Sequence, residues 1–189
     1  APKRDAAGKP YGGRFFSAAG AEHVNQYNAA IKEWEQRKES DLKDYWPRSA
    51  IPFGHMTHQR QPLPQHGYLK WADMFNPRQL LVHAQLLKAI ESVGDHDRAV
   101  REYVLGAFQN YLRNQCMFSF WHMKLDTLAP ALSNSNFHPK STVVETGVFS
   151  PLGYGPWTSA IKPLLKAIEW RERPWELARL DKEVNVEVG

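Results

Sequence analysis

The feature that most constrains this chain is a helix punctuated at both ends. Asn76 suits an N-cap, Pro77 is preorganised for the first helical position, and Gly94 supplies a C-terminal stop. Between them Leu80, Leu81, Ala84, Leu87 and Val93 keep one apolar face, so the spacing predicts a helix over 77–93. Asp95 or Asp97 then starts a second helix, expected to reach residue 116. Its Val100, Tyr103, Val104, Ala107, Phe108, Tyr111 and Leu112 form a wide apolar face. A joint this short between two long helices makes them antiparallel, a helical hairpin.

Other elements follow from the same periodicity. Val24, Tyr27, Ile31 and Trp34 step along one face of a helix expected over 21–39, with Glu22, Lys32, Glu33, Glu35, Arg37 and Lys38 opposite. A further helix is expected over 157–170, with Pro163 as a potential break. Pro174 is read as opening a short helix that carries Trp175, Leu177 and Leu180. Strand content is minor: Thr142-Val143-Val144 opens a candidate strand over 142–149, and Val184-Asn185-Val186-Glu187-Val188 alternates at strand spacing. The latter either has lost its continuation or pairs with another segment. The expected fold is therefore mainly α, with 17–189 a single helical domain built on the 77–93 and 97–116 hairpin. Residues 1–16, with Lys3, Arg4, Lys9 and Arg14 among glycines and prolines, form a basic, flexible lead-in.

Residues 45–67 hold Pro47, Pro52, Pro62 and Pro64 with Gly54 and Gly67, so neither a helix nor a central strand runs through them. A loop of this length is uncommon in a compact domain and implies a functional arm or a crossing between parts of a larger structure.

Composition excludes several classes. The 189 residues, 42% of them hydrophobic, suffice for one sizeable core. No apolar run is long enough to span a membrane, and Ala1–Ala6 lacks the apolar run of a secretory signal, so a soluble, cytoplasmic protein without a membrane partner is expected. Cys116 is the only cysteine, which removes internal disulfides and a four-cysteine zinc ribbon. With 24 basic and 20 acidic residues the net charge of +4 permits nucleic-acid binding without demanding it. The 7 Trp, 7 Tyr and 9 Phe serve equally for core, base stacking or interface, so they do not choose among these uses.

Reactive chemistry is sparse. His55, His58 and His66 lie in a proline-broken segment without a cysteine or carboxylate to complete a metal site, and ordinary loop histidines are the expectation. Cys116 and His122 could be named nucleophile and base, but Cys116 falls where an apolar helix face runs on, which favours packing. The glycine pairs fit neither a phosphate loop nor a dinucleotide fingerprint. No catalytic, cofactor-binding or metal-binding residue is therefore expected. What remains is a basic edge: Arg60 in the loop, Lys70, and Arg78 with Gln79 in the first turn of the capped helix. Arg at a helix start can receive phosphate, and Gln can address a base edge. The structural alternative pairs Arg78 with Asp73 or a neighbouring element and uses Gln79 to tether a loop.

Gly54-His55-Met56-Thr57, followed by Trp71-Ala72-Asp73-Met74-Phe75-Asn76-Pro77-Arg78-Gln79-Leu80-Leu81, resembles a phrase of large adenine-specific DNA methylases found in bacterial and archaeal defence clusters. In that family Trp-x-Asp-Leu-Phe-x-x-Arg-Gln-Leu opens a helix after a glycine-bearing loop, and Met74 here replaces the usual Leu. Further similarity lies in the helix containing Tyr27, in Asn114-Gln115-Cys116-Met117, and in Phe137-His138-Pro139-Lys140 leading to Val144-Glu145. The resemblance implies methyl transfer from S-adenosylmethionine to an exocyclic amino group of DNA. Such enzymes carry a glycine-rich cofactor loop and an Asp/Asn-Pro-Pro-Tyr/Phe phrase that holds the flipped base. Neither phrase occurs in this sequence. The chain is similar to the helical insert between those motifs, a part of a larger methylase whose cofactor belongs to the parent protein.

Two function classes follow as expectations. The first is an accessory, DNA-contacting region of a DNA adenine methyltransferase, not catalytic alone, whose partners are the remainder of that enzyme and DNA. The second is a protein-interaction or scaffold module docking through aromatic surface.

Overall fold

The computed structural model describes residues 17–59, 62–93, 97–122, 127–129, 143–150, 155–179 and 183–187. Four helices dominate: α1 (Ala21–Arg37), α2 (Pro77–Val93), α3 (Arg98–Leu112) and α4 (Trp157–Glu172). The short strands β1 (Phe120–His122) and β2 (Thr127–Ala129) pair antiparallel, as do β3 (Trp175–Arg179) and β4 (Glu183–Glu187). The fold is mainly α, and no described helix is long and apolar enough to cross a membrane.

The cap expected of α2 is a reciprocal box. Asn76 Oδ1 accepts from the Gln79 N–H at 2.9 Å, and Gln79 Oε1 accepts from the Asn76 N–H at 3.0 Å. For α3 the cap is Asp97, whose carboxylate accepts from the N–H groups of Ala99 and Val100. His83, early in α2, meets Tyr111, late in α3, while Ile90 near the end of α2 clusters with Phe108. This is the antiparallel hairpin. The lead-in 1–16, Gly94 and Asp95 lie outside the described residues.

Three apolar clusters make the core. Trp34 and Leu42 pack on Ala72, Leu80, Leu81 and Ala84, fixing α1 across α2. Ile90, Phe108, Tyr111 and Ala160 join α2, α3 and α4. Ile51, Leu63, Met74, Cys116 and Phe118 bury the base of the proline-rich loop. That loop is closed at its neck, where the Ile51 N–H donates to Leu69 O at 2.9 Å and the Trp71 N–H to Ser49 O at 3.2 Å. Among the described residues of the loop, single helical turns interrupt it at His55–Gln59 and Leu63–His66.

The structure corrects several boundaries. Helix α3 ends at Leu112 rather than 116, because the N–H groups of Asn114 and Gln115 turn back to Tyr111 and Leu112. The chain then redirects Cys116 and Phe118 into the cluster under the loop. Pro163 does not break α4: it withdraws one backbone donor on an exposed face, while Trp157 and Ala160 stay packed against α3. Instead of the short helix expected after Pro174, Trp175–Arg179 is a strand and supplies the partner of the terminal strand, in the register Trp175↔Glu187 to Arg179↔Glu183. A helix of one or two turns nucleates poorly, whereas a tight hairpin satisfies both backbones at low loop-closure cost. In the expected 142–149 strand, the described residues make one bridge, Val143 to Phe120, before the chain turns at Gly147.

Candidate functional site

Arg78 sits in the first turn of α2, and its guanidinium grips Glu145 from a segment far along the chain. Nε donates to Oε1 at 2.9 Å and Nη2 to Oε2 at 2.7 Å, a two-pronged pair in which Arg78 remains 42% and Glu145 26% exposed. The ring of Tyr27, from α1, lies 5.1 Å from the guanidinium carbon. Asn76 uses its spare amide donor on Glu145 Oε2 at 3.0 Å. The segment bearing Glu145 is fixed by the Val144 N–H, which donates to Ser119 O. The hydrogen bonds that Arg78 donates to Glu145 chiefly, helped by the carboxylate charge, raise the Arg78 pKa above its ordinary value.

Behind this pair is His83, 6% exposed. Nε2 lies 2.9 Å from Gln115 O, and a carbonyl only accepts, so Nε2 carries the proton; Nδ1 then accepts from the Tyr111 hydroxyl at 3.1 Å. Burial pushes the His83 pKa down to about 4, so the ring is neutral at pH 7. Burial likewise pushes the Tyr111 phenol up, keeping it a donor.

The Gln115 side chain donates from Nε2 to Gly155 O at 2.8 Å. This fixes the orientation of the amide and leaves the buried Oε1 without a donor. An unsatisfied buried acceptor costs about 1–3 kcal/mol. Arg78, Gln79, Val82, His83, Gln115 and Glu145, with residues 146–148, line a cleft of about 310 Å³. A second, more apolar groove of about 340 Å³ is also lined by His83, with Trp46, Phe75, Leu87 and Leu112.

The residues expected at a nucleic-acid edge are not equivalent. Arg60 lies outside the described residues. Lys70 is exposed at the loop neck, where its backbone bridges Ala50. Arg78 reaches the surface but is held by Glu145. Gln79 is 3% exposed with its side-chain oxygen committed to the α2 cap, which is the tethering role rather than base readout. The pairing of Arg78 with Asp73 is also corrected: Asp73 Oδ2 accepts from the N–H groups of Leu69 and Lys70 at 2.8 and 2.7 Å. Cys116 is fully buried with its thiol pKa raised by burial, and it lies 4.0 Å from Ser119 Oγ. Packing is its role. His55 pairs with Gln59 and His58 with Thr57, and among the described residues no three or more His, Cys, Asp or Glu are grouped to hold a metal ion.

Sequence reasoning missed Glu145, His83 and Gln115 as site residues. A half-buried Arg at a helix start needs a counter-charge, but nothing local says which carboxylate supplies it. Compared with known proteins, the chain matches no family model, no curated protein and no solved structure.

Proposed function

We propose that this chain is the accessory, DNA-contacting region of a larger S-adenosylmethionine-dependent DNA adenine methyltransferase, acting in the cytoplasm and not catalytic by itself. One observation carries the reading. Segments that resemble the methylase family are distant in sequence, yet they meet around one ion pair: Tyr27 lies over Arg78, Asn76 reaches both Met117 and Glu145, and Arg78, Gln79, Gln115 and Glu145 line the same cleft. The Met117 N–H donates to Met74 O at 2.8 Å, and Asn76 touches both Met117 and Glu145. Of the other pieces of the resemblance, Gly54–Thr57 and Trp71–Phe75 do not line this cleft, and Phe137–Lys140 lies outside the described residues.

In this reading Lys70, Arg60 and the exposed side of Arg78 contact phosphates, which position DNA without reading sequence. Gln79 supports α2 from within. S-adenosylmethionine belongs to the parent enzyme, since this sequence carries neither the cofactor loop nor the base-holding phrase. The test is fluorescence anisotropy on duplex DNA at two salt concentrations, for the wild type and the Arg60→Ala, Lys70→Ala, Arg78→Ala triple variant. The triple variant binds more weakly across all sequences, and its salt slope flattens by about one unit per lost contact. Absence of wild-type binding at low salt, or equal binding by the variant, overturns the reading.

A second reading rests on a separate observation: Val100 and Tyr103 on α3 and Leu165 and Ile168 on α4 are more than two-fifths exposed. These suit a module that docks on the rest of a methyltransferase chain or a partner subunit through apolar surface. Such docking is far less sensitive to salt than phosphate contact.

A further inference from the structure

We propose that the groove lined by the 44–47 segment and the α2–α3 hairpin binds a small amphiphilic amine, an apolar ring that carries one ammonium group. The body of the site is apolar. Tyr45, Trp46, Phe75, Leu87, Phe108 and Leu112 line about 340 Å³, which is the small end of ligand sites and suits one or two rings. The polar atoms among these walls are already committed. The Tyr45 hydroxyl donates to Glu91 Oε2, Trp46 Nε1 donates to Lys38 O at 3.0 Å, and His83 has both ring nitrogens engaged. The same bonds hold the 44–47 wall in place, and Arg48 adds to them by donating to Lys43 O at 3.0 Å. The wall therefore needs no occupant to form it.

Charge selects the ammonium. Among the described residues that line the groove, Asp44 alone carries a charge, since His83 is neutral. Asp44 is exposed and makes neither an ion pair nor a side-chain hydrogen bond with any described residue. The basic side chains Arg48 and Lys88, by contrast, are paired with Glu39 and Asp41, each at 2.9 Å. An unpaired carboxylate beside aromatic walls attracts an ammonium group, both by its charge and through the ring quadrupoles, and repels an anion. The apolar body of the ligand gains by leaving water. A phosphate finds no basic group in this lining, which separates the groove from the Arg78 edge, and the proposal does not rest on the function proposed above.

The probes are phenethylamine, protonated at pH 7, its neutral analogue phenethyl alcohol, and the anion hydrocinnamate, each titrated against the full chain by ligand-observed NMR. The amine is expected to bind saturably, the alcohol about tenfold more weakly and the anion not measurably. Asp44→Asn, a surface change, should weaken the amine about threefold and leave the alcohol as it was. Leu87→Trp, from the half-buried side of α2, fills the groove and should abolish binding of both while the helical circular dichroism is retained. Equal affinity for the three probes, equal amine binding by the wild type and Asp44→Asn, or no saturable amine binding overturns the proposal. Unchanged amine binding by a folded Leu87→Trp places the amine elsewhere and overturns it too. Because Asp44 is on the surface, the Asp44→Asn comparison decides the question even where Leu87→Trp disturbs folding.

Discussion

Arg78 and Glu145 form a two-pronged ion pair across 67 residues of sequence, and Asn76, the cap of the same helix, donates to the same carboxylate. One acidic side chain thus fastens a remote segment to the start of α2 and also restrains the basic group best placed to meet an anion there. Its removal has two separable consequences.

Glu145→Gln keeps a hydrogen-bonding group but deletes the charge. The pair is part-exposed, so the expected loss of stability is only about 1 kcal/mol, read as a shift in the urea midpoint. Under the proposed function the freed guanidinium should strengthen binding to duplex DNA and steepen its salt slope. Weaker DNA binding by this variant, with folding intact, would contradict the phosphate role of Arg78.

The cap separates two serviceable helix-starting residues. Asn76→Ser preserves an acceptor for the Gln79 N–H and loses the amide bond to Glu145, for a cost of about 1 kcal/mol. Asp is as good a cap in isolation, yet Asn76→Asp places a second carboxylate against Glu145 Oε2. It should be the less stable of the two at pH 7, and the gap should narrow as added salt screens the two carboxylates. Denaturant melts at pH 7 in low and in high salt make the comparison.

Acid should weaken the fold through His83. Its folded pKa of about 4 lies below the ordinary 6.5, so the unfolded chain binds the extra proton first as pH falls. Stability from this group is fully present above about 6.5 and is lost progressively down to about 4, by roughly 3 kcal/mol in all. His83→Phe should be less stable at pH 7, since Gln115 O and the Tyr111 hydroxyl lose their partner, but its stability should change less between pH 6.5 and 4.5. A His83 proton resonance that titrates near pH 6.5 in the folded protein would contradict the buried neutral ring.

Two glycines should respond differently to Ala. Gly155 has φ +106°, and a Cβ there would stand 2.9 Å from Asn114 Cβ, so Gly155→Ala should cost about 2 kcal/mol or more by combined strain and crowding. Gly147 has no such φ and its nearest neighbour would be Ser150 Cβ at 3.6 Å, making Gly147→Ala close to neutral. Thermal denaturation of both variants tests the contrast.

What the sequence made legible was local. The Asn76-Pro77-Arg78-Gln79 start of α2 and the Trp34 face each depend on residues within one or two turns and match their sequence reading, and Asp97 is one of the two caps, Asp95 or Asp97, that the sequence left open for α3. The terminal strand was recognised by alternation, but its partner was misread because Trp175, Leu177 and Leu180 fit a loose helical spacing as well as a strand. The site was least legible. Arg78 and Gln79 stand out in the sequence as surface groups; the three-residue step from Asn76 to Gln79 is a capping-box signature that places Gln79 in the cap, whereas the grip of Glu145 has no local signature. Gln115 became notable only when its amide was seen fixed by Gly155 with its oxygen unmatched.

The closed neck of the 45–67 loop makes that segment exchangeable. Ile51 with Leu69 and Trp71 with Ser49 hold its two ends together, and Ile51 and Leu63 anchor its base, so the body of the protein receives the same boundary whatever the tip contains. Lengthening the tip adds little closure entropy, since each doubling of a loop costs only about 0.6 kcal/mol. Phe53, 77% exposed, and the histidines beside it can therefore be rewritten independently of the helices, which leaves the fold a fixed chassis carrying a replaceable tip.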